Sequence, residues 1–112
     1  MLPSQPKENE LLKTILEPLL EDFQYWFKNS RSLLETEQLT FLSEREKAEL
    51  LDRIKKTQQE VRATQMLFKA TDGKAGVDPR TLIPWHHLVV QSWEVSKRWR
   101  EEKKSDRGNL GY

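Results

Sequence analysis

His86 and His87 are the only imidazoles in the chain, and adjacent residues on a helix point about 100° apart, too far to close on one ion. The helical metal-binding spacing Glu-x-x-His is absent, because Ile83 and Pro84 stand three residues before the two histidines. The types and spacing fit a structural role for one histidine at a helix start and exposure for the other. The run Asp72, Gly73, Lys74, Gly76, Asp78 has the look of an ion or phosphate loop. A calcium loop needs oxygen donors at alternate positions and a closing Glu, and a phosphate loop needs Ser or Thr after Gly-Lys, where this chain has Ala75. Turn chemistry accounts for the run better. Glu17, Glu21 and Asp22 fall on what should be a solvated face, whereas acid–base catalysis needs carboxylates in a dry site with separated pKa values. Ser92 and Ser96 have no nucleophile-activating partners that spacing can name. No catalytic residue, metal or cofactor follows from these patterns, and the chain is expected not to be an enzyme.

Two surface features remain. The basic group Lys97, Arg98, Arg100, Lys103 and Lys104 surrounds Trp99 and could grip phosphates while the ring stacks. Glu101, Glu102 and Asp106 dilute it, and basic residues also suit a helix C-terminus through the macrodipole. Nucleic acid is therefore not the expected partner. Four tryptophans in 112 residues are hard to bury in a thin bundle, and tryptophan is enriched at interface hot spots.

Composition bounds the object that must position these groups. Leu, Ile, Val and Phe number 28 of 112 residues, with a net charge of +1, enough apolar content and little enough charge for folding. The length suits one domain. With no cysteine, thiol chemistry and disulfides are excluded, which suits a reducing compartment. The longest uncharged stretch, Thr81 to Trp93, has 13 residues, short of the ~20 apolar residues of a membrane span, and the first nine residues lack a secretory apolar run. Charge is polarised: residues 1–42 carry four basic and seven acidic groups, and residues 79–112 carry seven and four.

Hydrophobic periodicity predicts three helices in an all-α, up-down-up bundle. In the first, Leu12, Leu16, Leu19, Phe23, Trp26 and Leu33 form a seam flanked by Ile15, Leu20, Phe27 and Leu34, a face wide enough for two neighbours. Pro18 predicts either a separate first segment or a kink. Ser43 with Glu46 has the spacing of a capping box, opening a second helix with the seam Leu50, Ile54, Thr57, Val61, Thr64, Phe68 and a left-handed end at Gly73. A long connection, 71–84, then leads to a third helix with Pro84 in its first turn, running to about Lys104. Predicted core residues are Leu19, Phe23, Trp26, Ile54, Val61, Phe68, Leu88 and Trp99. The ordered domain is 11–104, between flexible ends at 1–10 and 105–112.

Three segments, ILEPLLEDFQYWF (15–27), LLDRIKKTQQEVRATQMLFKATDGKAGVD (50–78) and PWHHLVVQSWEVSKRWR (84–100), together resemble a family of small cyanobacterial proteins classed as a domain of unknown function. The specific part is the combination of Glu17-Pro18, the ATDGKAGVD turn and Trp85-His86 before Leu88-Val89. The resemblance covers nearly the whole chain except its ends. It brings no activity, cofactor or catalytic residue, and it implies a cytoplasmic cyanobacterial protein with the thylakoid membrane surface as a neighbouring location.

The functional expectation is a non-catalytic module that binds another protein. Its surface is predicted at the connection and the start of the third helix: Asp72, Lys74, Trp85, His86 and His87. The alternative is a peripheral membrane or nucleic-acid binder acting through the basic patch.

Overall fold

The computed structural model describes the backbone of residues 4–74 and 77–110, and side chains over 13–74 and 77–104. Three helices account for nearly all of it: α1 (Ser4–Thr36), α2 (Glu44–Ala70) and α3 (Pro79–Leu110). No strand occurs among the described residues. Helix α2 runs back along α1, since Lys47 donates to the Glu37 carbonyl at one end and Lys13 pairs with Asp72 at the other. Helix α3 runs in the direction of α1: Phe23 meets Trp85 edge to face at 5.6 Å, and farther along Thr40 donates to Glu102. The path is up-down-up with α1 in the middle, packing against both α2 and α3, while α2 and α3 touch each other weakly.

The start of α2 is the one its sequence specifies. The Ser43 hydroxyl accepts from the Glu46 backbone N–H, and the Ser43 N–H donates to the Glu46 carboxylate, both at 3.0 Å. Two donors that the first turn would leave unpaired are thereby satisfied. The backbone N–H of Ser43 and its hydroxyl hold the Glu46 carboxyl below its ordinary value. At the other end, the Gly73 N–H donates to the Phe68 carbonyl and the Asp72 N–H to the Lys69 carbonyl, the paired bonds of a Schellman cap. The left-handed cap position belongs to Asp72, at φ 52°, with Gly73 following at φ 80°. Aspartate tolerates this region better than most residues.

Helix bounds differ from the predicted ones at three places. α1 reaches back to Ser4, the first residue described. α3 begins at Pro79, so the connection is shorter than predicted and Pro84 lies inside the helix. The Asp78 carboxylate accepts from the Arg80 backbone N–H at 2.9 Å, making Asp78 the cap and Pro79 the first residue. α3 also continues past Lys104 to Leu110, although Ser105, Asp106, Gly108 and Asn109 are weak helix formers. Pro18 sits within a continuous α1, on its exposed side. The side chains of the ends predicted to be flexible, 1–10 and 105–112, lie outside the described residues, as do 1–3 and 111–112 entirely.

The core is a single cluster of Leu20, Phe23, Phe27, Leu34, Leu39, Leu50, Ile54, Val61, Phe68, Trp85 and Leu88. On α2 the predicted seam is the buried one, with Thr57 and Thr64 half-buried. On α1 the buried line is Leu20, Phe23, Phe27, Ser30, Leu34, rotated from the predicted seam. Trp26, predicted as core, is 41% exposed, and Leu19 and Trp99 are half-buried. Phe23 belongs to both lines, so periodicity alone could not choose between them. Burial under two flanking helices centres the face on Phe27.

The molecule is long and thin, 68 × 28 × 19 Å with a radius of gyration of 18.3 Å, where a compact chain of this length has roughly 13 Å. Its accessible surface is 8586 Å², against about 6,500 Å² for a compact monomer of this mass. α1 overruns the other helices at one end and α3 at the other, and the excess also includes flanks that no third layer covers.

Candidate functional site

The predicted surface residues fall in three separate places. Trp85 is interior, 2% exposed: its ring packs on Phe23, and its indole N–H points to the Glu60 carboxylate at 3.4 Å. Its large apolar ring closes the bundle between all three helices and offers nothing to a partner, which corrects its place among the predicted surface residues. Asp72 is exposed and bound to Lys13 across 2.5 Å. The hydrogen bond from Lys13, then the charge of that lysine, hold the Asp72 carboxyl below its ordinary range. The Lys13 stem lies against Gly73, where an added Cβ would stand 3.2 Å from its Cγ. Lys74 is exposed beyond that corner, and Ala75 and Gly76 lie outside the described residues. His86 and His87 are exposed a few turns away along α3. His87 faces a furrow of about 360 Å³ between α2 and α3, whose walls include Arg53, Thr57 and Glu60.

The basic patch is likewise divided by the helix. Arg98 turns toward the connection between α1 and α2 and lies 4.7 Å over the Phe41 ring, a cation–π contact that employs it structurally. Arg100, Lys103 and Lys104 stand around Trp99 and Glu37 in an open hollow of about 350 Å³, with the Lys103 ammonium 5.4 Å above the Trp99 ring. Lys97 is exposed one turn earlier.

The feature that sequence reasoning missed is an open apolar face along α1 and α3. On α1, Gln24 reaches α2 by donating to the Gln58 carbonyl (3.1 Å) and to Gln65 (3.3 Å). Trp26, two residues on, stands about 200° around the helix and so faces away from α2. On α3, Gln91 accepts from Arg53 of α2 at 2.9 Å, and Trp93, again two residues on, is turned away by the same angle. The two rings therefore look out on the same side of the α1–α3 pair. Trp93 is 47% exposed and Trp26 carries Tyr25 edge to face at 5.5 Å. Ile15, Val90 and Ile83 are exposed as well. Exposed rings in neighbouring rows have the chemistry of a helix-docking surface. A signal was present in the sequence: four tryptophans are more than a thin bundle can bury.

Ser92 Oγ, on α3, is the one buried side-chain hydroxyl without a hydrogen-bond partner among the described residues. Among the described residues no three His, Asp or Glu side chains stand close enough to hold a metal ion. No described helix is long and apolar enough to cross a membrane.

Fold and surface together define a small all-helical protein with an elongated, incompletely covered helix layer. Residues 6–101 match the family described as "Protein of unknown function (DUF2605)", and the chain belongs to that family. No curated protein and no solved structure matches it.

Proposed function

We propose that the protein is a non-catalytic interaction module that binds a protein partner by helix–helix docking on the open face of α1 and α3. The observation that carries this reading is the placement of Trp26 and Trp93, both more than two-fifths exposed, on the one side of the α1–α3 pair that α2 leaves uncovered. Aromatic anchors of this kind supply most of the energy of protein interfaces. Asp72, Lys74, His86 and His87 take a secondary place, because Trp85, the anchor expected among them, is interior. For the cytoplasmic setting in cyanobacteria, beside the thylakoid membrane, the support is the sequence resemblance.

A photo-crosslinking amino acid placed singly at positions 26, 90 and 93, and for comparison at 55, 87, 97, 100 and 104, tests the reading in living cells. Crosslinks to protein from the first three positions and few from the others are expected. Crosslinks to lipid or nucleic acid, concentrated at positions 97, 100 and 104, would replace this reading with the charged-surface one.

A further inference from the structure

We propose that the hollow between α1 and α2 is a binding site for a small phosphate monoester, held by Arg31, Lys55 and Arg62. The site is separate from the docking face, since Gln24 on its wall reaches across to α2 while Trp26, two residues on, faces away.

Its lining is the first support. The hollow has about 390 Å³ and walls of Gln24, Arg31, Lys55, Gln58, Gln59 and Arg62, three cations and three amides without a carboxylate. Three other hollows along the helices each set carboxylates among their basic groups: Glu60, Glu37, and Glu46 with Glu94. Lys55, Gln58, Gln59 and Arg62 follow steps of three, one and three along α2, a single helix face. The placement of Arg31 runs against the charge around it. Residues 14–36 carry four carboxylates and only two basic groups, Lys28 and Arg31, and Arg31 is on the wall.

Charge balance is the second. Lys55 is half-buried and Arg62 exposed, and neither has an ion-pair partner among the described residues. Asp52, three residues before Lys55, pairs instead with Lys56. Glu35 neutralises Arg31, so the site keeps an excess of two positive charges. A phosphate monoester carries about −1.5 to −2 near neutral pH and matches that excess, whereas a single carboxylate would leave half of it unbalanced.

Geometry is the third. Arg31 donates from Nε to Glu35 at 3.1 Å and from Nη1 to the Gln58 side chain at 3.2 Å. The guanidinium is thereby fixed between the two helices with Nη2 still available, a planar fork suited to phosphate oxygens. Because the Gln58 carbonyl oxygen is committed to Arg31, its amide nitrogen is a further donor. No aromatic or aliphatic residue lines the hollow, so the body of the ligand is polar, and amides that both donate and accept suit hydroxyl groups. The volume falls within the range of small-molecule sites, about 300–1,000 Å³.

The test is an NMR titration of the full, isotope-labelled chain with glucose 6-phosphate, inorganic phosphate and glucose at constant ionic strength. Glucose 6-phosphate should give saturable shifts confined to residues 24–31 and 55–62, including the glutamine side-chain amides, and glucose should give none. Lys55→Gln and Arg62→Gln, which break no ion pair, should each weaken binding about tenfold, the effect of one charge-assisted hydrogen bond, with unchanged circular dichroism. Lys97→Gln, on α3, should bind as wild type does. Inorganic phosphate should bind more weakly than the ester, and equal binding would overturn the ester in favour of the bare ion. Shifts that fail to saturate, that spread over all three helices, or that persist in Lys55→Gln and Arg62→Gln alike would overturn the site. A single-stranded oligonucleotide that binds far more tightly, with shifts reaching Trp99 and Arg100, would replace it with a nucleic-acid surface.

Discussion

Replacing Ser92 by Ala should make the protein more stable. The Ser92 side chain is 3% exposed, and its oxygen finds no hydrogen-bond partner among the described residues. The hydroxyl has been taken from water without compensation, which costs about 1–3 kcal/mol. Alanine removes that cost and is the better helix former by about 0.5 kcal/mol. Against this stands the void left by one oxygen atom, about 0.5–1 kcal/mol of lost contact. The position has a reason to stay small: seven residues beyond the Phe23–Trp85 contact, Ser92 comes level with the buried Ser30, and small side chains let α1 and α3 approach. The net gain is about 1–2 kcal/mol. With an unfolding entropy of about 2.1 cal/mol/K per residue, this chain should melt about 4–8 °C higher. Urea unfolding followed by tryptophan fluorescence, at one fixed protein concentration because association adds to apparent stability, measures it directly. Ser96→Ala, at a half-buried site, is the control and should gain only the helix-propensity part. A Ser92→Ala protein equal to or less stable than wild type, with the slope on urea unchanged, would show that the hydroxyl is satisfied and that the α1–α3 packing is described wrongly.

Neighbouring aromatics on α1 should behave oppositely: Phe27→Ala should cost about 3–5 kcal/mol and Trp26→Ala about 1–2 kcal/mol in thermal unfolding, and a reversed order would mean that α1 is rotated. Val61→Ala, at a fully buried site on α2, should cost on the order of 2 kcal/mol. Ser43→Ala should cost about 1 kcal/mol near neutral pH. Because the folded Glu46 pKa lies below its ordinary 4.5, the capping contribution is complete above that value and is lost as pH falls through the lower, folded pKa. The gap between wild type and Ser43→Ala should therefore narrow on titration to pH 3, and a constant gap would contradict the reciprocal cap. Asp72→Gly should melt above Asp72→Ala, since both lose Lys13 but only glycine suits the left-handed φ; equal melting would show that the cap does not hold position 72 at positive φ.

Much of the fold was legible because local chemistry specified it. Ser43 and Glu46 satisfied each other's backbone, and the α2 seam was regular enough to give its buried residues by number. α1 was harder. Two lines of apolar residues share Phe23, and only the presence of helices on two sides decides that Phe27 is buried and Trp26 is not. The third helix start was misplaced because two prolines compete for a first-turn position, and the Asp78 side chain, by accepting from Arg80, settles it at Pro79. Trp85 shows the same limit for function. Its position beside a turn and two histidines suggested display, whereas a ring of that size was needed to fill the gap between three helices. The Lys13–Asp72 pair joins residues 59 apart in sequence and depends on where α2 ends relative to α1, which no local pattern encodes.

Hydroxyl-radical footprinting of the chain inside cells, compared with the purified chain, tests the central claim most directly. Oxidation of Trp26, Trp93 and Leu19 should fall together in the cell, while that of Met66 and Leu67, exposed on α2, should stay constant. Protection of the α2 residues instead, with Trp26 and Trp93 oxidised equally in both settings, would contradict the claim that the open face of α1 and α3 is where this protein meets its partner.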